Sequence, residues 1–151
     1  MTTNTCPECG AAVPQGGTCR DNFHALLLLE STIPGGPGSL AHFYAVASYG
    51  LQHPGSMNYT AQAAKGLLAA VSDALEGRAT VEEIRRRMGR QAGGTRRVTR
   101  RAGDPQVAWH RGPWPMTVAA VLSVAGEQGA YREAVERWAR SVREALNEEV
   151  G

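Results

Sequence analysis

SLAHFYAVASYGLQHP, residues 39–54, reads as one complete helix with punctuation at both ends. Ser39 is a good N-cap residue, Leu40 to Gln52 form the helical body, and His53-Pro54-Gly55 stops it. Upstream, Pro34-Gly35-Gly36-Pro37-Gly38 cannot be helical, and it separates this helix from a shorter apolar one, Asp21 to Glu30. Downstream, Thr60 can cap a third helix that runs to about Glu76 and ends at Gly77. Thr80 and Glu83 form a Thr-x-x-Glu capping box for a fourth, with Val81, Ile84 and Met88 on one face and Gly93-Gly94 beyond. Pro115 and Thr117 open a helix through Ala125. In the final stretch Tyr131, Val135, Trp138, Val142 and Leu146 recur at helical spacing, an apolar stripe running toward Val150. No segment alternates with period two between hairpin turns, so strand is limited to at most a small ribbon near the cysteines. The reading predicts an all-α bundle of five or six helices with an N-terminal zinc knuckle.

A length of 151 residues predicts a single domain spanning 1–151. Within it, 1–20 is expected to form the knuckle, 21–91 helices, 92–113 a polar arginine-rich loop, and 114–151 the C-terminal helices. With 42% hydrophobic and 20% charged residues the composition is globular and unlike a disordered chain. No apolar run nears the roughly 18 residues of a membrane span, so no membrane association is expected. The first residues lack a basic segment followed by an apolar one, which predicts a cytoplasmic protein. The use of 15 arginines and one lysine, with abundant Gly and Ala, suggests a GC-rich bacterial genome.

Three cysteines in a reducing compartment point to metal binding before disulfides. Cys6-Pro7-Glu8-Cys9-Gly10 is a Cys-x-x-Cys knuckle, in which two thiolates can grip one tetrahedral ion while the glycine turns the backbone beneath it. Cys19 supplies a third ligand. The fourth is a choice among His24, His42, His53 and His110. Helices 21–30 and 40–52 are joined by a short loop and should pack antiparallel, which brings His53 beside Cys19. His42 lies about 16 Å from His53 along the helix and cannot share its ion. His53 is therefore the expected ligand, with His24 the rival, turned about 140° away from Cys19 on its own helix.

His42, Tyr49 and His53 are seven and eleven positions apart and face one way on the helix, with Gln52 beside them. One reading makes Tyr49 core and His42 a hydrogen-bonded histidine; the sharper one makes a polar pocket in which His42 or Tyr49 moves protons. Trp109-His110-Arg111-Gly112-Pro113-Trp114 is either an apolar plug or a pocket wall, with His110, Arg111 and Trp114 as lining and Arg111 holding an anion.

Taken in order, Cys6-Pro7-x-Cys9-Gly10, Cys19, His42, Tyr49 and Gln52-His53-Pro54 resemble an uncharacterised bacterial domain-of-unknown-function family. Gly112-Pro113-Trp114, Thr117-Val118 and the region of Trp138-Ala139 look similar to its later motifs, so the resemblance spans nearly the whole chain. It implies a small helical protein with a metal site that involves the cysteines and a histidine. It implies no activity.

The net charge of +2 hides a segment, Arg85 to Arg101, with eight arginines and no acid. Arg86, Arg87, Arg96, Arg97, Arg100 and Arg101 are its anion or phosphate candidates, because guanidinium groups grip phosphate oxygens two at a time. The segment lacks interleaved aromatics and no helix-turn-helix is visible, which weighs against nucleic acid. Three function classes follow. The favoured one is a zinc-binding helical protein, its Zn2+ mainly structural, with a polar His/Tyr pocket for a small molecule or a protein partner. The second is a small zinc-dependent or pocket-histidine metabolic enzyme of unassigned reaction, since no His-Glu-x-x-His, nucleophile elbow or phosphate loop is present. The third is a nucleic-acid-binding regulator that uses Arg85 to Arg101.

Overall fold

Side-chain caps set where the helices start. In a computed structural model that describes residues 4–14, 16–93, 100–104, 107, 114–126 and 129–150, six α-helices follow one another. They are α1 (Cys19–Glu30), α2 (Leu40–Gln52), α3 (Ala61–Leu75), α4 (Val81–Gly93), α5 (Val118–Ala125) and α6 (Ala130–Val150). Ser39 Oγ accepts the amide of His42 at 3.4 Å, Thr60 Oγ1 that of Ala63 at 3.1 Å, and Thr80 Oγ1 that of Glu83 at 3.2 Å. Each hydroxyl satisfies an amide that has no partner within its own helix. The first helix begins two residues before the expected Asp21. The reason is local: the Thr18 amide donates to Asp21 Oδ2 at 2.7 Å, so Asp21 sits in the first turn and Cys19 becomes the first helical residue.

The protein is all-α. An antiparallel bridge, Thr5 to Ala12, closes the knuckle. α6 supplies the expected stripe: Tyr131, Val135, Trp138, Val142 and Leu146 are all buried, against α2, α5 and α3. α2 runs through the middle. Ala41, Ala45, Ala47, Ser48, Gly50 and Leu51 are all buried, because small side chains let neighbouring helices come close. Ile84 is the fully buried anchor of α4, and Val107 adds an apolar side chain to the core from the segment after it. No helix among the described residues is long and apolar enough to cross a membrane.

The pairing of α1 with α2 positions the chemistry. Glu30 meets His42, Phe23 stacks on Tyr49, and Cys19 lies in the same group of donor atoms as His53. Seven residues back along α1 match seven forward along α2, and the next step of four matches four. Such equal and opposite steps define an antiparallel pair. Its rungs are polar and aromatic, and the two ends of the ladder carry different chemistry.

Candidate metal centre

Cys6, Cys9 and Cys19 each offer a sulfur and His53 a ring nitrogen, and these four atoms lie within 4.8 Å of one another. All four residues are buried, Cys9 and His53 to 1% exposure. Cys6 Sγ lies 3.4 Å from His53 Nε2, and Cys9 Sγ lies 3.7 Å from Cys19 Sγ. An ion with Zn–S bonds of about 2.3 Å and a Zn–N bond of about 2.05 Å at tetrahedral angles separates its donors by about 3.8 Å (S to S) and about 3.5 Å (S to N). These two spacings match such a shell, and no pair of the four donor atoms is more than 4.8 Å apart. A buried Cys3His group of this kind could hold a metal ion.

The backbone builds this shell locally. The Gly10 amide donates to Cys6 O at 2.8 Å and the Cys6 amide to Ala11 O at 2.8 Å, folding the knuckle back on itself. Gly10 makes that turn at φ 82°, a conformation that costs a residue with a side chain about 1–2 kcal/mol. The Ala11 amide points at Cys9 Sγ, 3.4 Å away, and so supports negative charge on that sulfur. Cys19 enters from the first turn of α1 and His53 from the C-terminal end of α2. His53 Nδ1 donates to the Tyr49 carbonyl at 2.7 Å, which places the ring proton on that side and turns a bare Nε2 toward the sulfurs. The Tyr49 ring lies stacked between His53 (centroids 4.0 Å apart) and Phe23 (4.1 Å), and holds the imidazole plane in place.

The thiols share their protons unevenly. The hydrogen bond with Cys19, and then His53, hold Cys9 down to about 4, while the same hydrogen bond pushes Cys19 up and burial pushes Cys6 up. Three thiols this close cannot all ionise without a cation among them. Burial likewise raises the Tyr49 hydroxyl to about 12, leaving a neutral phenol at neutral pH.

One residue of this centre escaped the sequence reading. Glu8, inside the knuckle, takes the Gly55 and Ser56 amides on its two carboxylate oxygens at 3.0 Å each and also accepts the Ser56 hydroxyl. It ties the knuckle to the turn that follows His53. Only its place between the two cysteines hinted at this, and carboxylates at that position are ordinarily solvated. A cleft of about 620 Å³ opens beside the centre, lined by Thr5, Cys6, Thr18, Cys19, Arg20 and Tyr49 among others.

The other candidates scatter. His24 is exposed on α1, outside the donor group. Gln52 faces the core: its Nε2 donates to Met116 O at 2.7 Å and its Oε1 accepts from Trp138 Nε1 at 3.3 Å. Trp114 is buried in the core cluster. His110, Arg111, Arg96 and Arg97 lie outside the described residues. Arg86 is exposed, and so is Arg101, whose amide donates to Asp104. Arg87 pairs with Asp73 at 2.8 Å, and that contact holds the Asp73 carboxyl below the usual carboxylate range. Arg100 docks on Asn58 through its amide (2.7 Å to Asn58 O) and its Nε (3.3 Å to Asn58 Oδ1). The basic segment thus has part of its charge already committed inside the protein.

The same chain was compared with known proteins. A model of a family of unknown function, DUF5946, matches residues 4–147. The chain belongs to this family. No curated protein and no solved structure matches it. The match runs from the knuckle to the last turns of α6, so all four donor residues fall within it.

Proposed function

We propose that this protein is a zinc-binding helical domain, that its zinc is mainly structural, and that it presents a polar face to a small molecule or a protein partner. The observation that carries the reading is the spacing of the four buried donor atoms, all within 4.8 Å. Three sulfurs and one imidazole are soft to borderline donors, a set that favours zinc over calcium or magnesium. Four protein ligands fill a tetrahedral shell and leave no open position for water, as structural sites do. The centre joins three stretches of chain, the knuckle, the start of α1 and the end of α2. Zinc bound there would staple the N-terminal residues to the bundle.

The cleft beside the centre supports the partner half of the reading, with Tyr49 on its wall and Arg20 as its cationic group. Elemental analysis of protein purified without added metal tests the zinc reading. One zinc per chain, lost in Cys9→Ser and in His53→Ala, is the expected result. Protein that folds fully and carries no stoichiometric metal would overturn it.

A further inference from the structure

At the far end of the α1–α2 ladder lies a second cluster, built from residues that the metal centre does not use. Glu30 closes α1, is 2% exposed, and has both carboxylate oxygens engaged. Oε1 lies 2.5 Å from His42 Nδ1, and Oε2 accepts the Tyr131 hydroxyl from the first turn of α6. A carboxylate oxygen accepts in this contact, so the His42 proton there sits on Nδ1, and in the neutral ring that tautomer leaves Nε2 bare. The His42 side chain is 39% exposed, so the ring is gripped on its inner edge while part of it reaches solvent. A buried carboxylate behind a partly open imidazole stabilises the imidazolium formed when the outer nitrogen takes a proton.

The surroundings hold this geometry rigid. The loop from Glu30 to His42 packs tightly against Glu30: a Cβ on Gly36 would lie 2.7 Å from the Glu30 main-chain carbonyl oxygen and 3.2 Å from its Cγ, so a residue with a side chain does not fit there. Arg132 donates to Pro34 O at 3.3 Å and Arg85 to Gly38 O, pinning the loop to α6 and α4. Tyr131, with its hydroxyl held neutral by burial and by Glu30, keeps the carboxylate from turning away. Three helices converge to orient one ring nitrogen.

We propose that Glu30, His42 and Tyr131 form a proton-transfer site in which His42 Nε2 is the general base toward a protic nucleophile, water or a small-molecule hydroxyl. Glu30 and Tyr131 are positioning residues. With an activated ester as the probe, the nucleophile's oxygen bonds to the acyl carbon as its proton passes to Nε2. The carbon–oxygen bond to the leaving group then breaks, the leaving oxygen takes that proton, and His42 returns to its starting form. The site shares no residue with the metal centre.

The test uses the full chain with p-nitrophenyl acetate as probe, together with 15N NMR of the histidine rings. Expected are a His42 signal with Nδ1 protonated and Nε2 bare, and hydrolysis faster than that by the same concentration of free imidazole. His42→Ala should lower that rate at least about tenfold, as removal of a general base does. Glu30→Gln keeps the shape but cannot stabilise an imidazolium; it should lower the rate about tenfold or more and shift the His42 tautomer, with zinc content unchanged. His24→Ala, on an exposed histidine of α1, should keep the wild-type rate. An Nε2-protonated His42 in the wild type, or a rate no faster than free imidazole, overturns the proposal. So does equal loss in His24→Ala and His42→Ala. A Glu30→Gln protein that folds and hydrolyses at the wild-type rate removes Glu30 from the site.

Discussion

Two histidines stand at opposite ends of α2, and in both the inner ring nitrogen is tied down. His53 Nδ1 faces the Tyr49 carbonyl at 2.7 Å, and His42 Nδ1 faces the Glu30 carboxylate at 2.5 Å. In the neutral ring each such contact leaves Nε2 as the acceptor. What differs is the space in front of that nitrogen. Before His53 it is closed and holds three sulfurs, whereas His42 is 39% exposed. The partner behind the ring differs as well: a backbone carbonyl stands behind His53 and a buried carboxylate behind His42. One side-chain type on one helix face thus meets three sulfurs at one end and a carboxylate at the other. Burial and the second partner make the distinction.

Removing the metal end should have the largest effect. His53→Ala or Cys9→Ser is expected to lose the zinc and, with it, several kcal/mol of stability, since binding energy at a structural site is folding energy. Thermal melts of both variants and of chelator-treated protein should then coincide; a wild-type melt that ignores chelation would break the contrast between the two ends. Next is the stacked ring between them. Tyr49→Ala should cost about 3–5 kcal/mol, as truncation of a buried aromatic does, while Tyr49→Phe keeps both stacks and should cost under about 1.5 kcal/mol. Denaturant unfolding of the pair checks this.

Glu8→Ala sharpens the comparison from outside the donor set. Loss of the clamp on Gly55 and Ser56 should weaken metal affinity by about 10–100-fold without abolishing binding, as outer-shell changes do. Competition with a chromogenic chelator reads it directly. At the other end, His42→Ala should keep its zinc and cost about 1–3 kcal/mol, because it leaves a buried carboxylate oxygen without its donor. Equal zinc loss in His42→Ala and His53→Ala would mean that the two ends are one site. The smallest effect belongs to Arg86→Ala. Its side chain is exposed on α4, and the melting free energy should move by no more than about 0.5 kcal/mol.

Much of the metal end was legible because its signals are local. The Cys-x-x-Cys spacing, the glycine after it, and the Pro-Gly loop that forces α1 and α2 to run antiparallel are all contained in the first 55 residues. They suffice to prefer His53 over His24. The His42 end was legible only by halves. The helical period placed His42 and Tyr49 on one face, and it suggested that they share a pocket with Gln52. Instead each meets a different rung of α1, and Gln52 bonds Met116 and Trp138. The reason is that helical period fixes direction and says nothing of which residue arrives from across the interface.

Glu30 marks the limit most clearly. In the sequence it is an acidic residue at the end of a short helix, where carboxylates are ordinarily solvated. Its burial depends on a loop folding over it and on Tyr131, which lies 101 residues further along the chain. The sequence by itself determined the helices, their caps and stops, the apolar stripe of α6 and the knuckle, because each depends on residues within a few turns of one another. The tertiary structure alone decided that His42 faces a buried carboxylate, how Glu8 clamps the turn after His53, and where the arginines find partners. Those outcomes depend on contacts between distant segments, and on which polar groups lose their water when the helices close.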